Sequence, residues 1–182
     1  MRSPDTLLSQ EAIRIMKLMP VWIPGTNFNG DSLWTQTYGG AGYEESQAFS
    51  KLSDGGYLLC GHSSSTDPKH NMYGVRTAID GSQIFDVNFG GALHDGGEAL
   101  LVNNEGNYVF IGRTMSAGTG MRDAIMVISD PNGQEISTRY LGGILDDRID
   151  DIIEDDQYYY LVGQSNSEGN GDNDVYLVKL PK

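Results

Sequence analysis

The chain has one cysteine in 182 residues, which excludes an internal disulfide framework and a cysteine-rich zinc site. Positive charge is scarce. Twelve Lys and Arg stand against 25 Asp and Glu, a formal charge of −13, and no basic cluster is present. That removes the electrostatic footprint of a nucleic-acid binder. No apolar run nears the ~18 residues of a membrane-spanning helix. The three histidines, His62, His70 and His94, lack the helical spacing of a metal site. Apolar residues make up 38% of the chain, on the low side yet enough for a packed core.

The first twenty residues also lack something, the uninterrupted apolar stretch of a secretory leader, because Glu11, Arg14 and Lys17 break it. The pattern predicts a short N-terminal helix instead. Ser3 caps it, Pro4 opens it, and Leu8, Ala12, Ile15, Met16 and Met19 share one face. Such a helix either covers an edge of its own chain or docks a second chain.

What is abundant is glycine, 24 residues, and it is periodic. Gly39-Gly40, Gly90-Gly91 and Gly142-Gly143 recur at steps of 51 and 52. Gly61, Gly112 and Gly163 recur at steps of 51, as do Tyr57, Tyr108 and Tyr159. An internal period of this size marks a repeat architecture. The organisation is therefore residues 1–29 as an N-terminal helix and seam strand, then three units at 30–80, 81–132 and 133–182.

Each unit reads as four short strands. The first runs over Leu33–Tyr38, Ile84–Phe89 and Ile136–Leu141 and ends at the paired glycines. The second covers Ala48–Leu52, Ala99–Asn103 and Asp151–Glu154. The third, Tyr57–Gly61, Tyr108–Gly112 and Tyr159–Gly163, is apolar throughout and suits burial on both faces. The fourth is Tyr73–Ile79, Ala124–Ser129 and Val175–Leu180. Four antiparallel strands in about 51 residues is the size of one propeller blade.

The strings Leu33-Trp34-Thr35-Gln36-Thr37-Tyr38-Gly39-Gly40, Asp54-Gly55-Gly56-Tyr57-Leu58-Leu59-Cys60-Gly61 and Asp174-Val175-Tyr176-Leu177-Val178-Lys179-Leu180 resemble a bacterial and archaeal β-propeller repeat family. Its blades occur in tandem in secreted and cell-surface proteins, notably of Bacteroidetes. The resemblance covers about residues 30–182 and implies an all-β fold of three four-stranded antiparallel blades. It also implies a binding or display role and an extracellular or cell-envelope setting, although a cytoplasmic location stays open. Three blades do not close a ring, which takes four to eight. A homodimer or higher assembly closes it, or the chain is a fragment of a longer gene or a subunit of an open assembly; a β-trefoil of twelve strands is the alternative fold. Val21-Trp22-Ile23 sits where a preceding blade's fourth strand would lie, which points to strand exchange at the seam.

The candidate ligand-binding residues follow the third strands. Ser63 and Ser65, Thr114 and Ser116, and Ser165 and Ser167 repeat at one loop level, preceded by His62, Arg113 and Gln164. Repeated hydroxyls can bind a sugar or peptide, or satisfy their own turns. Glu44, Asp95 and Asp147 follow the glycine pairs, either as a cation-binding ring or as acceptors of backbone N–H groups. The Asn166–Asp174 stretch is rich in oxygen ligands, so calcium is the one cofactor considered, although EF-hand spacing is absent. No nucleophile, acid or base constellation stands out. The expected function is a non-catalytic binding or assembly module whose partners are itself and a glycan or protein ligand. The alternatives are a structural subunit of an extracellular assembly and a carbohydrate-active hydrolase or lyase.

Overall fold

The computed structural model describes residues 21–26, 29, 31–66 and 69–182; the helix expected within residues 1–20 lies outside them. Every regular element among the described residues is a strand. In order they are β1 (Val21–Thr26), β2 (Ser32–Tyr38), β3 (Glu44–Lys51), β4 (Tyr57–Ser63), β5 (Asn71–Thr77), β6 (Gln83–Phe89), β7 (Asp95–Val102), β8 (Tyr108–Thr114), β9 (Asp123–Ser129), β10 (Glu135–Leu141), β11 (Asp147–Glu154), β12 (Tyr158–Ser165) and β13 (Asp174–Pro181). No described helix is long and apolar enough to cross a membrane.

The strands pair antiparallel with their chain neighbours, as short turns between them dictate. They form a β1–β2 hairpin, two four-stranded sheets, β3–β6 and β7–β10, and a three-stranded sheet, β11–β13. Sheet and sequence unit are out of phase by one strand. The first strand of each unit, β6 or β10, completes the sheet of the unit before it. β1 pairs with β2 in the matching register, Val21 with Tyr38 as Met72 pairs with Phe89. No described strand of the first unit pairs with one of the last. The sheets thus stay open, and the closed twelve-stranded trefoil is not the arrangement present.

The sheets pack face to face in chain order, with a core in each gap. Tyr38 and Trp34 from β2 meet Tyr57, Leu59, Tyr73 and Val75. Leu58, Cys60, Met72 and Phe89, on the other face of that sheet, meet Tyr108, Phe110, Ile125 and Val127. Val109, Ile111, Ala124 and Met126 then meet Ile149, Ile152, Tyr159 and Leu161. The third strand of the first two units is therefore buried on both faces, as its unbroken apolar run requires. The repeated tyrosines tie the sheets together: Arg76 Nε donates to the Tyr108 hydroxyl at 3.2 Å and Asn103 Nδ2 to the Tyr159 hydroxyl at 2.9 Å.

The recurring strand-three glycine has a steric cause. β3, β7 and β11 each carry a register shift opposite it, between Ser46 and Ala48, Gly97 and Ala99, and Ile149 and Asp151. The bulged backbone presses so close that a Cβ on Gly112 would collide with the Gly96 carbonyl oxygen.

Candidate functional site

The end of each sheet is organised by a carboxylate. Asp95, at the start of β7, accepts bonds from the Thr114 hydroxyl, from Ser116 Oγ at 2.7 Å and from the Gly91 amide at 2.8 Å. Asp147 accepts from Ser167 Oγ at 2.6 Å and from the Gly143 amide at 2.8 Å, while Ser165 Oγ accepts the Ser167 amide at 3.0 Å. Burial pulls the Asp147 carboxyl up, but these donors outweigh it and hold the group below the usual range. Glu44 takes Ser63 Oγ at 2.8 Å and Ser65 Oγ. Gly90, with φ of 132°, turns the chain tightly over the carboxylate. Six of the nine candidate ligand-binding residues, Ser63, Ser65, Thr114, Ser116, Ser165 and Ser167, are thus engaged in latches that fasten the glycine turn to the end of strand three.

His62 and Arg113 are brought together in a different way. They line a cleft of about 320 Å³ with His70, His94, Asp95, Met115 and Arg122. All three histidines of the chain meet here. Ring centroids run from Tyr43 to His62 at 6.0 Å, His62 to His70 at 5.1 Å and His70 to His94 at 5.6 Å, an unbroken aromatic ladder. His62 Nε2 lies 3.4 Å from Glu45 Oε2. Burial holds the His62 imidazole below its ordinary pKa, Glu45 opposes the shift, and His70 and Arg113 reinforce it. Arg113 pairs with Glu98 at 2.8 Å, and burial raises the Glu98 carboxyl. Half-buried Arg122 makes no ion pair among the described residues.

Gln164, the third member of that series, stands apart on β12 opposite Arg148 of β11. His70, His94, Met115 and Arg122 escaped the sequence reading, yet the repeat phase carried a signal. His70 and Arg122 both immediately precede a fourth strand, and Tyr43 and His94 both immediately precede a second strand. The cleft is assembled from three repeat-equivalent positions where neighbouring sheets meet. No described group of three or more His, Cys, Asp or Glu side chains is arranged to hold a metal ion. Burial pushes the Cys60 thiol up, and its place in the core marks it as a small packed hydrophobe.

No family model matches the chain, and no curated protein matches it. Among solved structures it is similar to a crystal structure of a protein of unknown function from Bacteroides caccae at 1.35 Å resolution. The identity is 15% and the TM-score 0.49, covering 86% of this chain. The chain spans 53% of the length of that protein.

Proposed function

We propose that the chain is a non-catalytic assembly and binding module, an arc of propeller-type blades that completes itself with a second copy. One observation carries this reading. Val109, Ile111, Ala124 and Met126 of the middle sheet are 0–1% exposed beneath the last sheet. Their counterparts in the last sheet are Tyr160, Val162, Val175 and Leu177, by the matching pairs Ile111 with Met126 and Val162 with Leu177. There Val162 is 40% exposed, Leu177 72% and Val175 84%, with Ile153 beside them at 65%. A face on the pattern of an inter-sheet core, largely apolar but with Asp151 and Lys179 where the middle sheet has Ala99 and Ile128, and left bare, is an interaction surface. The occupant that fits is the far end of the same chain. Among the described strands, the last sheet holds second, third and fourth strands alone, while β2 is a first strand in no four-stranded sheet. Two copies joined head to tail at both ends give six blades, within the range that closes.

The measurement is mass in solution by light scattering across a concentration series. A dimer is the expected result; a monomer at every concentration sinks the reading.

The cleft favours an accompanying binding role. An aromatic ladder offers a stacking wall for a flat ligand or sugar face, and Arg122 offers charge to an acidic group. Titration with glucuronate and with glucose tests it. Binding of glucuronate alone, weakened in Arg122→Gln, is expected; equal indifference to both sugars removes this role.

A further inference from the structure

The seam between copies has a device of its own, and the inference rests on the assembly reading above. β1 pairs with β2 in the register Val21 with Tyr38, Trp22 with Thr37 and Ile23 with Gln36. β5 pairs with β6 in the matching register, Met72 with Phe89 and Gly74 with Val87, and β9 with β10 likewise, Ala124 with Leu141 and Met126 with Arg139. The counterpart of Met72 and Ala124 at the other end of the chain is Val175, opposite Gln164, and that of Gly74 and Met126 is Leu177, opposite Val162. Val21-Trp22-Ile23 therefore aligns residue for residue with Val175-Tyr176-Leu177. The two strands share a β-branched residue, an aromatic and a branched aliphatic in the same order and are fitted to the same partner edge.

We infer that β1 is a displaceable stand-in for β13, and that assembly proceeds by strand exchange: β13 of a second copy replaces β1 on β2. Three observations converge on this. Among the described residues β13 pairs only on its β12 side, so its other edge meets no described strand. Among the described strands β1 pairs with β2 alone and belongs to no larger sheet. A two-stranded hairpin is marginal by itself, whereas a fourth strand added to three gains a full ladder and a packed face. Exchange costs one short pairing and gains an equivalent one. It also aligns the bare face of the last sheet with the sheet that follows β2 in the second copy, β3–β6.

Register makes the test sharp. Opposed residues of an antiparallel pair have Cα atoms ~4.5–5.5 Å apart, within the span a disulfide accepts. If β13 takes the place of β1, Leu177 faces Gln36 of the other copy. Both side chains are exposed in the single chain, so Gln36→Cys with Leu177→Cys leaves the cores untouched. Buried Cys60 stays. Oxidation is expected to give a covalent dimer on non-reducing gels that returns to monomer on reduction. In the companion variant, Ile23→Cys with Gln36→Cys, oxidation ties β1 to β2 and is expected to weaken self-association at least tenfold. Covalent monomers from the first variant in a chain that is dimeric by mass overturn strand exchange while leaving assembly through the bare face. An intrachain disulfide, seen as a faster monomer band, overturns the second copy as donor. Association unchanged by the Ile23–Gln36 tie overturns displacement of β1. A chain monomeric at every concentration overturns the assembly reading, and this inference with it.

Discussion

The buried hydroxyl of Thr114 donates to the carboxylate of Asp95, and the pair spans the glycine turn at Gly90-Gly91. The same hydroxyl also accepts the Ser116 amide at 3.0 Å, so one oxygen ties a strand end to its loop and its carboxylate at once. Thr114→Val keeps the shape and removes both bonds. The Ser116 amide then loses its acceptor, and a stability loss of about 1–3 kcal/mol is expected by chemical denaturation. An unchanged midpoint would mean the latch contributes nothing to stability and that its hydroxyls are free for another use.

The close approach of β7 to β8 makes a second prediction. Gly112→Ala places a methyl against the Gly96 carbonyl, and backbone cannot move aside as a side chain can. A loss of about 3 kcal/mol or more is expected. Gly106, in the turn between the same two strands, has φ of 84° and nothing near its would-be Cβ. Gly106→Ala carries only the conformational cost, about 1–2 kcal/mol. Equal losses at the two sites, in thermal or denaturant melts, would show that crowding at the bulge is not the reason for the strand-three glycine.

Much of this fold was legible because its signals are local and repeated three times. The steps of 51 and 52 between glycines fix the strand order, and the unbroken apolar run Tyr108–Gly112 foretells a strand covered on both sides. The second strands begin about four residues earlier than expected, since Glu44, Asp95 and Asp147 read as loop carboxylates yet start β3, β7 and β11. Their side chains face inward to accept hydroxyls, an orientation that composition does not reveal. The phase of the sheets was half visible. Val21-Trp22-Ile23 pointed to it, but nothing local says that β6 completes the sheet of the unit before it, because pairing depends on contacts across a turn and not on the strand's own pattern. The cleft was the least legible part. His62, His70 and His94 are spread through loops and strand ends, and only the repeat phase shows that they converge.

His62 makes stability depend on pH in a defined window. Burial depresses its folded pKa, so the unfolded chain takes up the proton first as pH falls below about 6.5. Stability is then lost progressively until the folded state also protonates. Glu45 opposes the effect, while His70 and Arg113 strengthen it. His62→Gln, which installs the residue found at the matching position 164, removes the titrating group. Its melting temperature is expected to be flatter than wild type between pH 7 and 5 (window set by the ordinary histidine pKa, roughly 6.5). Asp147 acts in a separate range: its lowered pKa supplies stability above about 3.9 that is lost as pH falls further. A variant whose melting follows the wild-type curve through the upper window would rule out His62 as its source.

Leu177 and Met126 occupy the same place in successive sheets, and the difference between them separates folding from assembly. Met126 lies in the core between the middle and last sheets, where a charge has no partner. Met126→Glu is expected to unfold the chain, because an unpaired buried carboxylate is among the costliest single changes. Leu177 is 72% exposed in the single chain, so Leu177→Glu should leave the fold within about 0.5 kcal/mol of wild type. Yet if a second copy covers this face, that carboxylate is buried on association, and the dimer should dissociate to a folded monomer. Circular dichroism reports the first property and light scattering the second. A dimer that persists in Leu177→Glu would place the interface elsewhere. A loss of secondary structure would show that the face already belongs to the core of one chain.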